Sequence, residues 1–147
     1  RGTRELGEHA APISDLIRRF DHLSVRDENS RRILERECGV RAAVVLDPTL
    51  LGDYREIRRD PPRRGEYLLL YGKLDPEKER YVAALSARRG LPIVSIGSWS
   101  RIADACRVGA GPGECLGYFA GARAVCTSFY HGILLSIAFR KDFTVLP

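Results

Sequence analysis

The chain has no methionine and a single tryptophan, and aromatic residues make up only 8% of its 147 positions. It has no apolar run near the roughly 18 residues that a membrane-crossing helix needs. The longest apolar stretches, residues 67–71 and 133–139, have the lengths of a strand and a short helix, so stable membrane insertion is not expected. Cysteine is sparse, at 38, 106, 115 and 126, with no CxxC pair; Cys106 and Cys115 are the nearest, nine apart. That spacing fits neither a zinc site nor a thioredoxin-like dithiol. The thiols are expected to be free and buried, which with the lack of a leader points to the cytoplasm. The first residue is Arg1, and the last, Pro147, falls in a strand-like stretch. Both natural ends are therefore expected to lie beyond this sequence.

Lysine is also scarce, found only at 73, 78 and 141, so the net charge of +5 and the pI of about 9.3 come from arginine. The arginines are scattered, with small pairs at Arg58-Arg59, Arg63-Arg64 and Arg88-Arg89. No basic stretch is interleaved with aromatics, so a nucleic-acid partner is not expected. An anionic small substrate remains compatible with the charge.

What is present has the balance of a globular domain: 44% hydrophobic and 29% charged. The fold class is read as α/β, with Rossmann-like parallel sheet and helices on both faces. A helix is expected over residues 12–20, where Ile13, Leu16, Ile17 and Phe20 recur at helical spacing. A strand is expected over 22–26, a helix over 28–38 stopped by Gly39, and a strand over 42–46 ended by Asp47-Pro48. Residues 52–65 are polar, Arg-rich and carry Pro61-Pro62, and look like a linker. The division expected is 1–55 for the end of one lobe, 56–65 for a linker and 66–147 for the start of a second lobe. The second begins with a strand over 67–71. Asp75, Pro76 and Gly90 then mark the cap, first turn and stop of a helix whose inner face is Tyr81, Val82 and Leu85. A strand follows over 92–96, and 97–113 is ambiguous. The rest reads as helix 114–120, strand 124–128, helix 131–139 and strand 143–146.

In open parallel sheets, ligands bind beyond the carboxyl ends of the strands. Four loops qualify. In Ser24-Val25-Arg26-Asp27-Glu28-Asn29-Ser30, Arg26 could grip a carboxylate or phosphate, or make a surface ion pair. Asp27 is a helix cap or a ligand contact. In Leu46-Asp47-Pro48-Thr49, Asp47 either faces a sugar hydroxyl or holds the turn. Gly109-Ala110-Gly111-Pro112-Gly113-Glu114 is glycine-rich but matches neither a Walker A loop nor GxGxxG; Glu114 could serve the helix dipole alone. In Thr127-Ser128-Phe129-Tyr130-His131-Gly132, a histidine leads into a helix whose free N–H groups favour anions. Gly132 would permit close backbone approach there. His9 and His22 have no comparable setting.

Taken in order, these stretches resemble the polysaccharide pyruvyl transferase family. The resemblance rests on Ser24-Val25-Arg26-Asp27 with Ser30, on Leu46-Asp47-Pro48-Thr49-Leu50-Leu51, and on Tyr67-Leu68-Leu69-Leu70-Tyr71-Gly72. It continues in Gly111-Pro112-Gly113-Glu114, Thr127-Ser128-Phe129-Tyr130-His131-Gly132 and Ser136-Ile137-Ala138-Phe139-Arg140-Lys141. It runs from about residue 12 to the end, and family members are considerably longer. It implies a bacterial protein of GT-B-like architecture, two Rossmann-like lobes across a cleft. The implied reaction moves the enolpyruvyl carbons of phosphoenolpyruvate onto a sugar diol as a cyclic ketal, releasing phosphate, in exopolysaccharide or cell-wall biosynthesis. Such a piece alone is expected to be inactive.

That chemistry needs cations for the donor, a general acid for its methylene carbon and a base or carboxylate near the two hydroxyls. By resemblance, the catalytic candidates are His131, Glu114 and Asp47. The substrate-binding candidates are Arg26, Asp27, Ser128, Gly132 and Lys141. No cofactor is called for, and no metal ligand set is visible. Two other readings stand beside this one: a GT-B glycosyltransferase using a nucleotide sugar, and an inactive sugar- or anion-binding module.

Overall fold

A computed structural model describes residues 5–60 and 66–146. The chain divides into two compact units, Arg1–Leu51 and Gly52–Pro147. Part of the expected linker, residues 61–65, lies outside the described residues.

In the first unit a 3-10 turn, Gly7–His9, leads into helix α1 (Ala10–Ile17). The helix begins earlier than its periodicity predicts, because Pro12 falls in the first turn, where a missing N–H costs nothing. It also ends earlier, which leaves Phe20 of the expected inner face beyond it and exposed; Leu16, inside the helix, is exposed as well. Ser14 Oγ (3.3 Å) and the Arg18 guanidinium (2.6 Å) donate to the Cys38 carbonyl, and the Leu6 N–H donates to Glu37 at 2.6 Å. Strand β1 (Ser24–Val25) precedes helix α2 (Glu28–Ile33), which continues as a π-helical turn, Leu34–Cys38. Gly39 ends it at φ 62, as expected of a glycine stop. Strand β2 (Ala43–Val44) pairs parallel with β1, Ser24 opposite Ala43. The buried apolar residues of this unit are Ile33, Leu34 and Cys38.

The second unit is a five-stranded sheet whose pairs are all parallel. Its strands are β3 (Leu68–Tyr71), β4 (Ile93–Ile96), β5 (Ala105–Arg107), β6 (Ala124–Thr127) and β7 (Asp142–Val145). Their order is β5-β4-β3-β6-β7. Strand β5 lies in the stretch that sequence left ambiguous.

Helix α3 (Pro76–Arg89) joins β3 to β4, α4 (Pro112–Gly121) joins β5 to β6, and α5 (Tyr130–Ala138) joins β6 to β7. Asp75 accepts from the Glu77 and Lys78 N–H groups, Pro76 opens α3, and Gly90 closes it at φ 64. Val82 and Leu85 are buried, but Tyr81 is not: it stays half exposed.

Strand residues alternate between two cores, as the period of two requires. Tyr67, Leu69, Val94, Ile96 and Val125 pack with Leu116, Phe119 and Leu135 of α4 and α5. Leu68, Leu70, Ile93, Ala124 and Cys126 pack with Val82 and Leu85 of α3. The sheet thus carries helices on both faces, the architecture expected from sequence. All four cysteines are free: Cys38 and Cys126 are buried, Cys106 and Cys115 half-buried. Burial holds the Cys126 thiol up, at about 11. No helix among the described residues is long and apolar enough to cross a membrane.

Candidate functional site

The strand order reverses direction between β3 and β6: the chain builds outward from β3 to β5, then returns to β3's other side. Such a topological switch point opens a crevice at the carboxyl ends of its two strands, because the following helices leave to opposite faces. Here the two strands end in Gly72-Lys73 and Ser128-Phe129.

The two loops are bonded to each other. Ser128 Oγ accepts from the Lys73 N–H and donates to the Lys73 carbonyl, both at 3.1 Å. Thr127 Oγ1 donates to the Tyr71 carbonyl at 2.6 Å and accepts from the Phe129 N–H at 3.1 Å. A Cβ on Gly72 would stand 2.3 Å from Ser128 Oγ, so only glycine lets the loops come this close. Gly132 has the same kind of reason. A Cβ there would meet Thr127 Oγ1 at 2.0 Å, so the close approach it permits is by the chain's own threonine. Sequence reasoning missed Thr127; a buried threonine ending an apolar strand just before a helix was the available signal.

His131 is the second residue of α5 and is exposed, its ring edge-on to Tyr130 with centroids 5.6 Å apart. The residue before the helix, Phe129, has no side-chain oxygen to cap it. The positive end of α5 therefore faces the carboxyl edge beside an imidazole, a setting that suits a phosphate or carboxylate.

The glycine-rich loop is put to structural use. Helix α4 starts at Pro112, two residues before its expected start at Glu114, because proline suits the first helical position. Glu114 becomes the third residue and accepts from the Gly111 N–H at 3.1 Å, half of a capping box. A Cβ on Gly113 would lie 2.6 Å from the Ile57 carbonyl, and the Arg59 N–H donates to the Gly113 carbonyl at 2.9 Å. The segment around Ile57–Arg59 thus packs directly against this glycine. A depression of about 370 Å3 remains beside it, lined by Glu56, Arg59 and Glu114 among others.

Lys141 stands just before β7, at the amino edge of the sheet and so opposite His131. Its ammonium donates to the Ala120 carbonyl at 2.6 Å, near the C-terminus of α4. Burial, then Arg123 and Arg58, push its pKa down.

In the first unit the structure brings Arg26 and Asp47 together, Nη1 to Oδ2 at 2.8 Å. Asp47 is only 6% exposed and also accepts from the Thr49 N–H at 3.0 Å. The bond from Thr49, then Arg26, hold its pKa down at about 2. Asp27 caps α2, accepting from the Ser30 N–H (2.7 Å) and hydroxyl (2.9 Å); the N–H bond is the larger cause of its lowered pKa. No group of three or more metal-binding side chains comes together among the described residues.

The family model for polysaccharide pyruvyl transferases matches residues 13–147, nearly the whole chain. The chain belongs to the polysaccharide pyruvyl transferase family. No curated protein and no solved structure matches it. Family membership gives this member a pyruvyl transferase-like function, with a saccharide acceptor and a donor to serve.

Proposed function

We propose that this family member takes part in transfer of a pyruvyl group from phosphoenolpyruvate to a sugar diol, forming a cyclic ketal and releasing phosphate. The observation that carries the reading is His131 at the start of α5, without a side-chain cap and beside the switch point. A trianionic donor needs a concentrated positive field, and a helix N-terminus with an imidazole supplies one.

In this reading His131 holds the phosphate or delivers the proton to the methylene carbon. In the first unit, Arg26 is kept in place by Asp47 and offers a planar guanidinium to a carboxylate or phosphate. The Ser128 hydroxyl already donates to the Lys73 carbonyl, so toward a ligand it acts as an acceptor. Glu114, Asp27 and Lys141 already hold a helix start, a helix cap and a carbonyl, and their present bonds argue for supporting roles. The GT-B-like pairing of two lobes and an exopolysaccharide or cell-wall acceptor belong to the same proposal.

Calorimetric titration of phosphoenolpyruvate into the full-length protein tests it, with UDP- and CMP-sugars as competitors and His131→Ala as the variant. Phosphoenolpyruvate should bind, and the variant should weaken it about tenfold or more. A nucleotide sugar binding in its place would make this a glycosyltransferase site instead.

A further inference from the structure

Trp99, the only tryptophan among the 147 residues, is 72% exposed. Its position is fixed. It lies in the loop that follows β4, where Gly97 adopts φ 72 and donates its N–H to the Arg107 carbonyl at 3.1 Å. Ser95 Oγ donates to the Ser98 carbonyl at 2.8 Å, and Ser98 Oγ donates to the Gly72 carbonyl at 2.9 Å. Cys106 Sγ and the Ala103 N–H both donate to the Ser100 carbonyl. The residues on either side of Trp99 are therefore tied down, one of them to the switch-point loop, while the indole is held in solvent.

Two details indicate what it meets. The residues flanking Trp99 in sequence are Gly97, Ser98, Ser100 and Arg101, so its own loop adds no second large apolar side chain. Protein-docking patches are broader and more apolar at their centre. The following residue, Ser100, has a buried hydroxyl with no hydrogen-bond partner among the described residues, a costly state that turning toward a ligand hydroxyl would relieve. A flat π face followed in the chain by a hydroxyl in need of a partner suits a pyranose: its axial C–H groups pack on the ring, and its hydroxyls hydrogen-bond at the rim.

The spacing agrees. Strand β3 separates β4 from β6, so the Trp99 and His131 loops leave strands about 10 Å apart at the ordinary inter-strand spacing. A short saccharide bridges such a gap.

We propose that Trp99 is the stacking platform for a sugar ring of the acceptor, with Ser100 taking one of its hydroxyls; the word acceptor rests on the pyruvyl-transfer reading above. Trp99 is a specificity-determining residue, remote from the donor chemistry at His131.

The single indole makes its own probe. The 147-residue chain is titrated with methyl glycosides of glucose, galactose, mannose and N-acetylmannosamine and with their β-linked disaccharides, following tryptophan emission. At least one should produce a saturable change. By calorimetry, Trp99→Phe should keep that affinity within about threefold and Trp99→Ala should lose about tenfold. Neither variant should alter phosphoenolpyruvate binding in the full-length protein. No change in emission with any saccharide, or unchanged saccharide affinity in Trp99→Ala, overturns the proposal. Saccharide quenching without phosphoenolpyruvate binding would sink the pyruvyl reading and leave the platform standing.

Discussion

The two units are built from the same strand-to-helix grammar, yet they bury very different amounts. In the second, Leu68, Leu69 and Leu70 are all completely buried, because β3 has a strand on each side and helices over both faces. In the first, β2 has one partner strand and Val44 remains 48% exposed. An apolar run therefore carries the same local preference in both places but a different stabilisation. What decides the difference is the number of layers that arrive to cover it.

The largest test of that comparison sets two strand residues side by side. Leu69→Ala should cost about 3–4 kcal/mol in a denaturant titration, whereas Val44→Ala should cost less than about 0.5. Equal costs would mean the first unit buries its strand after all. Gly132→Ala comes next, at about 2–3 kcal/mol, since its methyl group would overlap Thr127 in a packed core. A neutral result would show slack where the geometry leaves none. Asp75→Ala removes the cap of α3 and should lower the melting temperature by a few degrees, with no loss of phosphoenolpyruvate binding.

The smallest effect is one of pH. Asp47 is held at about 2, below its ordinary 3.8, so its contribution to stability is complete above about pH 4. It is lost as pH falls from there through about 2. Arg26→Ala should raise the Asp47 pKa, seen by carboxyl NMR, so that the loss is complete at a higher pH. It should not return to the ordinary value, because the Thr49 N–H is the larger cause. No movement at all would mean that the ion pair does not persist in solution.

Elements with strong end signals were legible in the sequence. Asp75, Pro76 and Gly90 bounded α3 closely, and Gly39 closed the helix before it. Strand β5 was not legible: Ala105-Cys106-Arg107 has no β-branched or aromatic residue, and its assignment comes from pairing with β4. Sequence places Tyr81 on one face with Val82 and Leu85, but helical spacing does not give the width of the covering layer, and Tyr81 is half exposed. At the site, the sequence offered His131 and the loop around it. It could not show that Arg26 and Asp47 meet, since that depends on β1 and β2 lying parallel in one register. Nor could it separate a glycine kept for a ligand from one kept for the chain itself, as Gly113 and Gly132 are.

The paired hydrogen bonds between Ser128 and Lys73 have a consequence for time as well as for space. A hydroxyl that both accepts from and donates to one residue closes a small ring, and the loops after β3 and β6 cannot part without breaking it. Their opening then has to break both bonds. The Lys73 amide should exchange its hydrogen slowly for so exposed a residue, and a ligand that seats between the loops should slow it further.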